Sequence, residues 1–284
     1  MKKIKPKRSI IFRYWRAIFL SFYSQKFYLE VARSWRGTGL AYSLFVIVLA
    51  ALPFSLKTMV RFNQFYNDEL IEPLKKMPAL TIQQGQLHFD YFMPFLIKNN
   101  RSEVVVVIDS AGQLTTVNYI YPHWMMLVTE DNLYFRMPPF SLLLEPTKSD
   151  PAYETINFKD INNDSFNATE WIKNIHLMGQ KWLFMAMIYP LFSGVLFGFF
   201  CGLNALMTII GKVLAHTIFK LPLGFKETYR MMSVSSSCGV SLFILSLTFF
   251  GRIPFMGTFL MISISFYFSY AMLSIKRDYR QLAL

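Results

Sequence analysis

A chain of 284 residues that is 54% hydrophobic, 17% aromatic and only 16% charged falls outside the composition of soluble domains, where about 25% of residues carry charge. Its net charge of +12 comes with two cysteines only, which excludes a disulfide-built scaffold and offers no zinc framework. Four stretches, Gly37 to Leu56, Trp182 to Gly211, Met231 to Gly251 and Ile253 to Ile275, hold no Asp, Glu, Lys or Arg. Each reaches the roughly 20 residues with which a helix rising about 1.5 Å per residue crosses a bilayer core. Open sheet edges are not tolerated in lipid, so the spanning elements are expected to be helices.

Residues 1–36 carry ten basic residues against one acid. Between Ile10 and Val31 the aromatics Phe12, Trp15, Phe19, Phe22, Tyr23, Phe27 and Tyr28 recur at spacings of three and four, which places them on one helical face. A helix of this kind suits the headgroup region of an anionic leaflet. The expected membrane-surface contacts are Arg13, Trp15, Arg16, Phe19, Phe22, Lys26, Phe27 and Arg33. This cytoplasmic arm is not read as a cleavable signal, because the following apolar run is of spanning length and lacks a small-residue cleavage site.

Residues 37–57 form the first predicted span, and 58–180 change character to nine basic and fourteen acidic residues. Within that interval Leu80-Thr81-Ile82 and Leu87-His88-Phe89 flank the turn-forming Gln83-Gln84-Gly85-Gln86. The β-branched run Val104 to Ile108 closes on Asp109-Ser110-Ala111-Gly112, with Leu114 to Tyr121 as the expected return strand. Met125 to Thr129 and Leu133 to Phe135 flank Glu130-Asp131-Asn132. A small, mostly antiparallel sheet is predicted, connected to the membrane by helices near Phe62 to Lys75 and Asn167 to Gln180.

Residues 181–220 contain the second span. Its charge-free run is too long for one upright crossing, so 204–219 read as a cytoplasmic or interfacial extension, with a re-entrant segment as the alternative. A basic loop at 221–230, spans at 231–251 and 253–275 turning at Gly251-Arg252, and a tail at 276–284 complete the chain. Basic residues are retained on the cytoplasmic side. Residues 212–230 hold four bases against one acid and 276–284 three against one, which puts both termini inside and 58–180 outside. The expected fold is an α-helical integral membrane protein with four transmembrane helices and an inserted extracytoplasmic β-rich (α+β) domain.

Chemistry finds little purchase. His88, His123, His176 and His216 form no metal-binding pattern, Asp109 is explained by turn formation, and no phosphate-binding glycine loop occurs. The spans lack the ionisable groups that ion-coupled carriers place there. In Ser235-Ser236-Ser237-Cys238-Gly239, the residues Ser235, Ser236 and Gly239 are expected to permit close helix packing. No catalytic residue, cofactor or metal is expected.

Several segments together resemble a bacterial membrane family known as domain of unknown function 1189. They are Ser21-Phe22-Tyr23-Ser24-Gln25-Lys26-Phe27-Tyr28, Pro78 to Leu87, Val106-Val107-Ile108-Asp109-Ser110-Ala111-Gly112 and Leu221 to Arg230. The helical part is more distantly similar to the Yip family of membrane-organising proteins. The resemblance implies a protein of the bacterial cytoplasmic (inner) membrane and brings no catalytic residues. The expected function is non-enzymatic: organising or scaffolding a membrane or envelope protein through the external domain or the arm. The alternative is a component of a lipid or small-solute transport system. Expected partners are anionic lipid headgroups, an unidentified envelope protein and further copies of the chain, with nucleic acid excluded.

Overall fold

The computed structural model describes residues 10–112, 120–136, 153–160, 164–174, 176–251 and 254–282. They divide into two compact units, one built from the chain up to Leu56 and from Tyr189 onward, the other from Lys57–Ile188. The first unit is helical. It contains α1 (Ile10–Leu20), α2 (Gln25–Ser34), most of α3 (Leu40–Phe65), most of α6 (Leu177–Thr217), α7 (Phe225–Phe249) and α8 (Met256–Leu282). Among the described residues four helices are long and apolar enough to cross a membrane, and each contains most of one charge-free run.

Their interior is a single apolar core, with Tyr28, Ile47, Phe200, Met231, Met232, Ile264 and Met272 among its most deeply buried members. Phe54 of α3 stacks on Phe192 of α6 with centroids 4.2 Å apart, and the Tyr189 hydroxyl donates to the Val48 carbonyl at 2.9 Å. α7 is the central helix, with 67% of its apolar window buried inside the chain against 17% for α6. α6 runs unbroken through Pro190 to Thr217, so residues 204–217 continue the helix and no re-entrant turn interrupts it. Of the expected turn at Gly251-Arg252, Gly251 has φ 67°, while Arg252 lies outside the described residues.

In the second unit α3 passes into a π-helical stretch, Tyr66–Ile71, and then into α4 (Glu72–Lys76). The rod stops at Met77, because Pro78 disfavours the helical conformation of the residue before it. The strands are β1 (Leu80–Gln83), β2 (Gln86–His88), β3 (Phe95–Lys98), β4 (Val104–Asp109), β5 (Met126–Thr129), β6 (Asn132–Arg136), β7 (Tyr153–Asn157) and β8 (Asp164–Phe166), followed by α5 (Ala168–Asn174). They form a three-stranded sheet in the order β2-β1-β8 and a five-stranded sheet in the order β3-β4-β5-β6-β7.

Gln84 and Gly85 both have positive φ, 53° and 79°, and close β1 and β2 into a two-residue hairpin of the type that matches strand twist. A methyl group on Gly85 would also meet the Lys159 backbone at 3.2 Å. β5 and β6 pair across Glu130-Asp131 as the sequence predicts. β4 departs from expectation. Its neighbours are β3, antiparallel, and β5, parallel, while residues 113–119, which carry most of the expected return strand, lie outside the described residues. β4 buries every residue from Val105 to Asp109, so side chains on both of its faces are covered, and its apolar residues run continuously instead of alternating.

Candidate functional site

Ser24 decides how the N-terminal arm folds. Its side chain accepts from the Phe27 amide at 3.3 Å, the standard use of a serine at a helix N-terminus, and so it starts a new helix. The predicted single aromatic face is thereby split in two. Trp15, Arg16, Phe19 and Phe22, on α1 and its exit, are exposed, as are Lys26 and Arg33 on α2. The side chain of Arg13 lies outside the described residues.

Phe27 corrects the expectation of surface contact. It is only 4% exposed, with its ring edge-on to Trp35 at 5.9 Å. Tyr28 beside it is fully buried and donates to the Ser21 carbonyl at 2.6 Å, while the Tyr270 hydroxyl of α8 donates to the Tyr23 carbonyl at 2.9 Å. Burial, then the neighbouring Tyr42, pushes the Tyr28 phenol well above its ordinary range. The Phe27 and Tyr28 side of α2 is thus part of the helical core, and the exposed aromatics of the arm lie on α1 and the turn after it.

The serine run of α7 lies in the same core. Ser235, Ser236 and Ser237 are all buried. Ser236 bonds within its own helix, donating to the Ser233 carbonyl at 3.2 Å. Ser237 makes the contact between helices, 3.1 Å from the Ser21 hydroxyl, and also donates to the Val234 carbonyl at 2.7 Å. Gly239 lets α8 approach: a methyl group there would meet Ser263 Oγ at 3.0 Å and Leu260 Cδ1 at 3.2 Å.

Between α3, α6 and α7, Ser43, Asn204 and Ser233 line a cavity of about 10 Å³ together with Phe200 and Val240. The Oγ atoms of both serines and Asn204 Oδ1 have no hydrogen-bond partner among the described residues. This is a polar joint within an apolar bundle, and it holds no charged group.

The outer face of α6 is different in kind. Gly194, Gly198 and Gly202 recur every four residues, and at each of them a methyl group would meet nothing within 4 Å among the described residues. Residues four apart lie on one helix face, so the three form a flat stripe, bordered by exposed Leu191, Val195, Phe199 and Leu206. The i, i+4, i+8 spacing was readable in the sequence. That this face has no neighbour among the described residues was not.

The groups considered for catalysis do not assemble. His88, His123, His176 and His216 are exposed on separate elements, and Asp109 is buried at the end of β4 opposite Thr129. Among the described residues no group of three or more His, Cys, Asp or Glu is placed to hold a metal ion.

A family model described as "Protein of unknown function (DUF1189)" matches residues 15–275. The chain belongs to that family. The match begins at Trp15 in α1 and ends at Ile275 in α8, so the DUF1189 region takes in the sheets, the serine run and the glycine stripe. No curated protein and no solved structure matches the chain.

Proposed function

We propose that this DUF1189 chain is a non-enzymatic organising protein of the bacterial cytoplasmic membrane, and that α6 is the helix through which it docks. The glycine stripe carries this reading. Each glycine inside a helix costs about 0.8–1 kcal/mol relative to alanine, and lipid tails make no demand for a flat groove. A second helix does, because small residues let two backbones approach closely where van der Waals packing drives association. A second copy of the chain is the simplest occupant, since a two-fold contact needs only one stripe facing itself. The excess of Lys and Arg around residues 1–36, 212–230 and 276–284 supports an orientation with both termini cytoplasmic and residues 58–180 outside.

The test is Val195→Cys, at the rim of the stripe, with Cys201→Ala and Cys238→Ala, oxidised in native membranes and read by mass spectrometry. A disulfide-linked dimer supports self-association through α6. Inserted protein that yields no α6 crosslink to a second copy or to another membrane protein refutes docking through this helix. A transport component is the second reading, favoured by the polar joint at Ser43, Asn204 and Ser233. It requires Asn204→Leu to abolish flux while leaving assembly intact.

A further inference from the structure

Four charged side chains converge at one end of the helical unit, where α2 ends, α7 begins and α8 finishes. Arg33 comes from the last turn of α2, Glu227 and Arg230 from the first two turns of α7, and Asp278 from the end of α8. With an apolar wall that includes Leu29 and Ile275, they line a cavity of about 190 Å³.

Arg33 and Asp278 are ion-paired at its edge, with side-chain exposures of 57% and 22%. Glu227 Oε2 accepts from the Gly224 amide at 3.0 Å. Arg230, 7% exposed, donates through Nη2 to the Ala32 carbonyl at 2.9 Å and through Nη1 to the carbonyls of Trp35 and Gly37. It thereby ties the end of α2 to the start of α7. A guanidinium has five N–H donors, and Nε of Arg230 is enclosed without a partner among the described residues, so Arg230 acts as a fixed charge in the wall while Arg33 stays accessible.

The charge balance selects the ligand. Two guanidinium groups and two carboxylates sum to zero, so a lone anion drawn to the arginines meets Glu227 and Asp278, and a lone cation meets the reverse. A ligand carrying both signs a few ångströms apart satisfies all four. The depth selects its source. The charge-free runs 231–251 and 253–275 begin one residue after Arg230 and end at Ile275, so the cavity lies where hydrocarbon gives way to headgroups.

We propose that this cavity binds the headgroup of a zwitterionic phospholipid with a primary ammonium, as in phosphatidylethanolamine. The phosphate lies against the exposed guanidinium of Arg33, the ammonium donates to Glu227 and Asp278, and the acyl chains leave along the apolar wall. A choline headgroup carries the same charges but has no N–H to donate, and a glycerol headgroup leaves the carboxylates without a cation.

The test uses the full chain, delipidated in detergent and titrated with phosphatidylethanolamine, phosphatidylcholine or phosphatidylglycerol, with bound lipid counted by native mass spectrometry. The expected result is a preference of about tenfold or more for the ethanolamine lipid over the other two. Glu227→Gln with Asp278→Asn erases the preference over choline, and Arg33→Ala weakens both zwitterionic lipids alike. Wild-type protein that holds the ethanolamine and choline lipids equally, or prefers the glycerol lipid, overturns the assignment. So does displacement of the lipid by free phosphoethanolamine at comparable concentration, which would make the ligand a soluble solute. None of these substitutions lies on α6, so failure here and failure of α6 docking are separately visible.

Discussion

Two glycine-to-alanine substitutions, one at Gly239 and one at Gly198, probe the same residue change in opposite surroundings. Adding a methyl group relieves about 0.8–1 kcal/mol of glycine's helix penalty at either position. At Gly239 the new carbon lies 3.0 Å from Ser263 Oγ and 3.3 Å from Ser263 Cβ, so it presses on a short side chain fixed to the α8 backbone. Forcing an extra methyl into a packed site costs about 1–3 kcal/mol, which leaves Gly239→Ala between neutral and about 2 kcal/mol destabilised. At Gly198 nothing lies within 4 Å among the described residues, so the helix term stands alone and the monomer gains up to about 1 kcal/mol. Reversible unfolding in mixed micelles, followed by helical circular dichroism, measures both. Gly239→Ala more stable than Gly198→Ala would refute the close packing of α7 on α8. In native membranes Gly198→Ala is expected to weaken the α6 crosslink, so that one substitution stabilises the monomer while loosening the assembly.

Arg230→Ala removes the donors to the Ala32, Trp35 and Gly37 carbonyls, and is expected to cost about 3 kcal/mol or more by the same unfolding assay. Arg230→Lys does not restore it, because one ammonium lacks the planar fork that serves three carbonyls. Tyr28 gives a pH signature: its phenol titrates above the ordinary value of about 10, so its stabilisation is complete below about pH 10 and is lost as pH rises toward the folded-state value. Tyr28→Phe loses the bond to Ser21, about 1 kcal/mol, and removes that alkaline loss, as read by stability measured from pH 8 upward. Asn204→Leu replaces a buried amide whose oxygen has no partner among the described residues, and is expected to be neutral or stabilising. A loss above about 1 kcal/mol would show that the amide is held by a bond essential to the bundle.

Sequence and structure agree where the signal is local or set by the solvent. The long helices follow from absent charge, since lipid excludes it over a fixed thickness. The β1–β2 hairpin follows from Gly85 and the β5–β6 hairpin from the turn at Glu130-Asp131, because both turns are specified by their own residues. The parallel pairing of β4 with β5 has no such mark. It joins segments separated by sixteen residues, and a β-branched run fits an antiparallel or a parallel neighbour equally well. The arm shows how a local signal can be outweighed. Seven aromatics at helical spacing suggest one face, yet Ser24 among them is a helix start, and a new start resets the phase. Phe27 and Tyr28 therefore turn into the core while Trp15 and Phe19 stay outside it.

Which surfaces remain uncovered depends on packing that no single segment encodes, and here the two glycine patterns part company. Gly239 and the stripe at Gly194, Gly198 and Gly202 carry the same implication of close helix approach. Gly239 is answered within the chain by Leu260 and Ser263 of α8, whereas the stripe meets nothing within 4 Å among the described residues. α7, 67% buried, has its glycine at Gly239 packed on a neighbouring helix, and α6, 17% buried, carries three at the spacing on which the proposed docking rests. Glycine destabilises both helices alike, and the cost that α7 recovers in packing on α8 is, under the proposed docking, recovered by α6 from a second helix, which is why Gly198→Ala separates monomer stability from assembly.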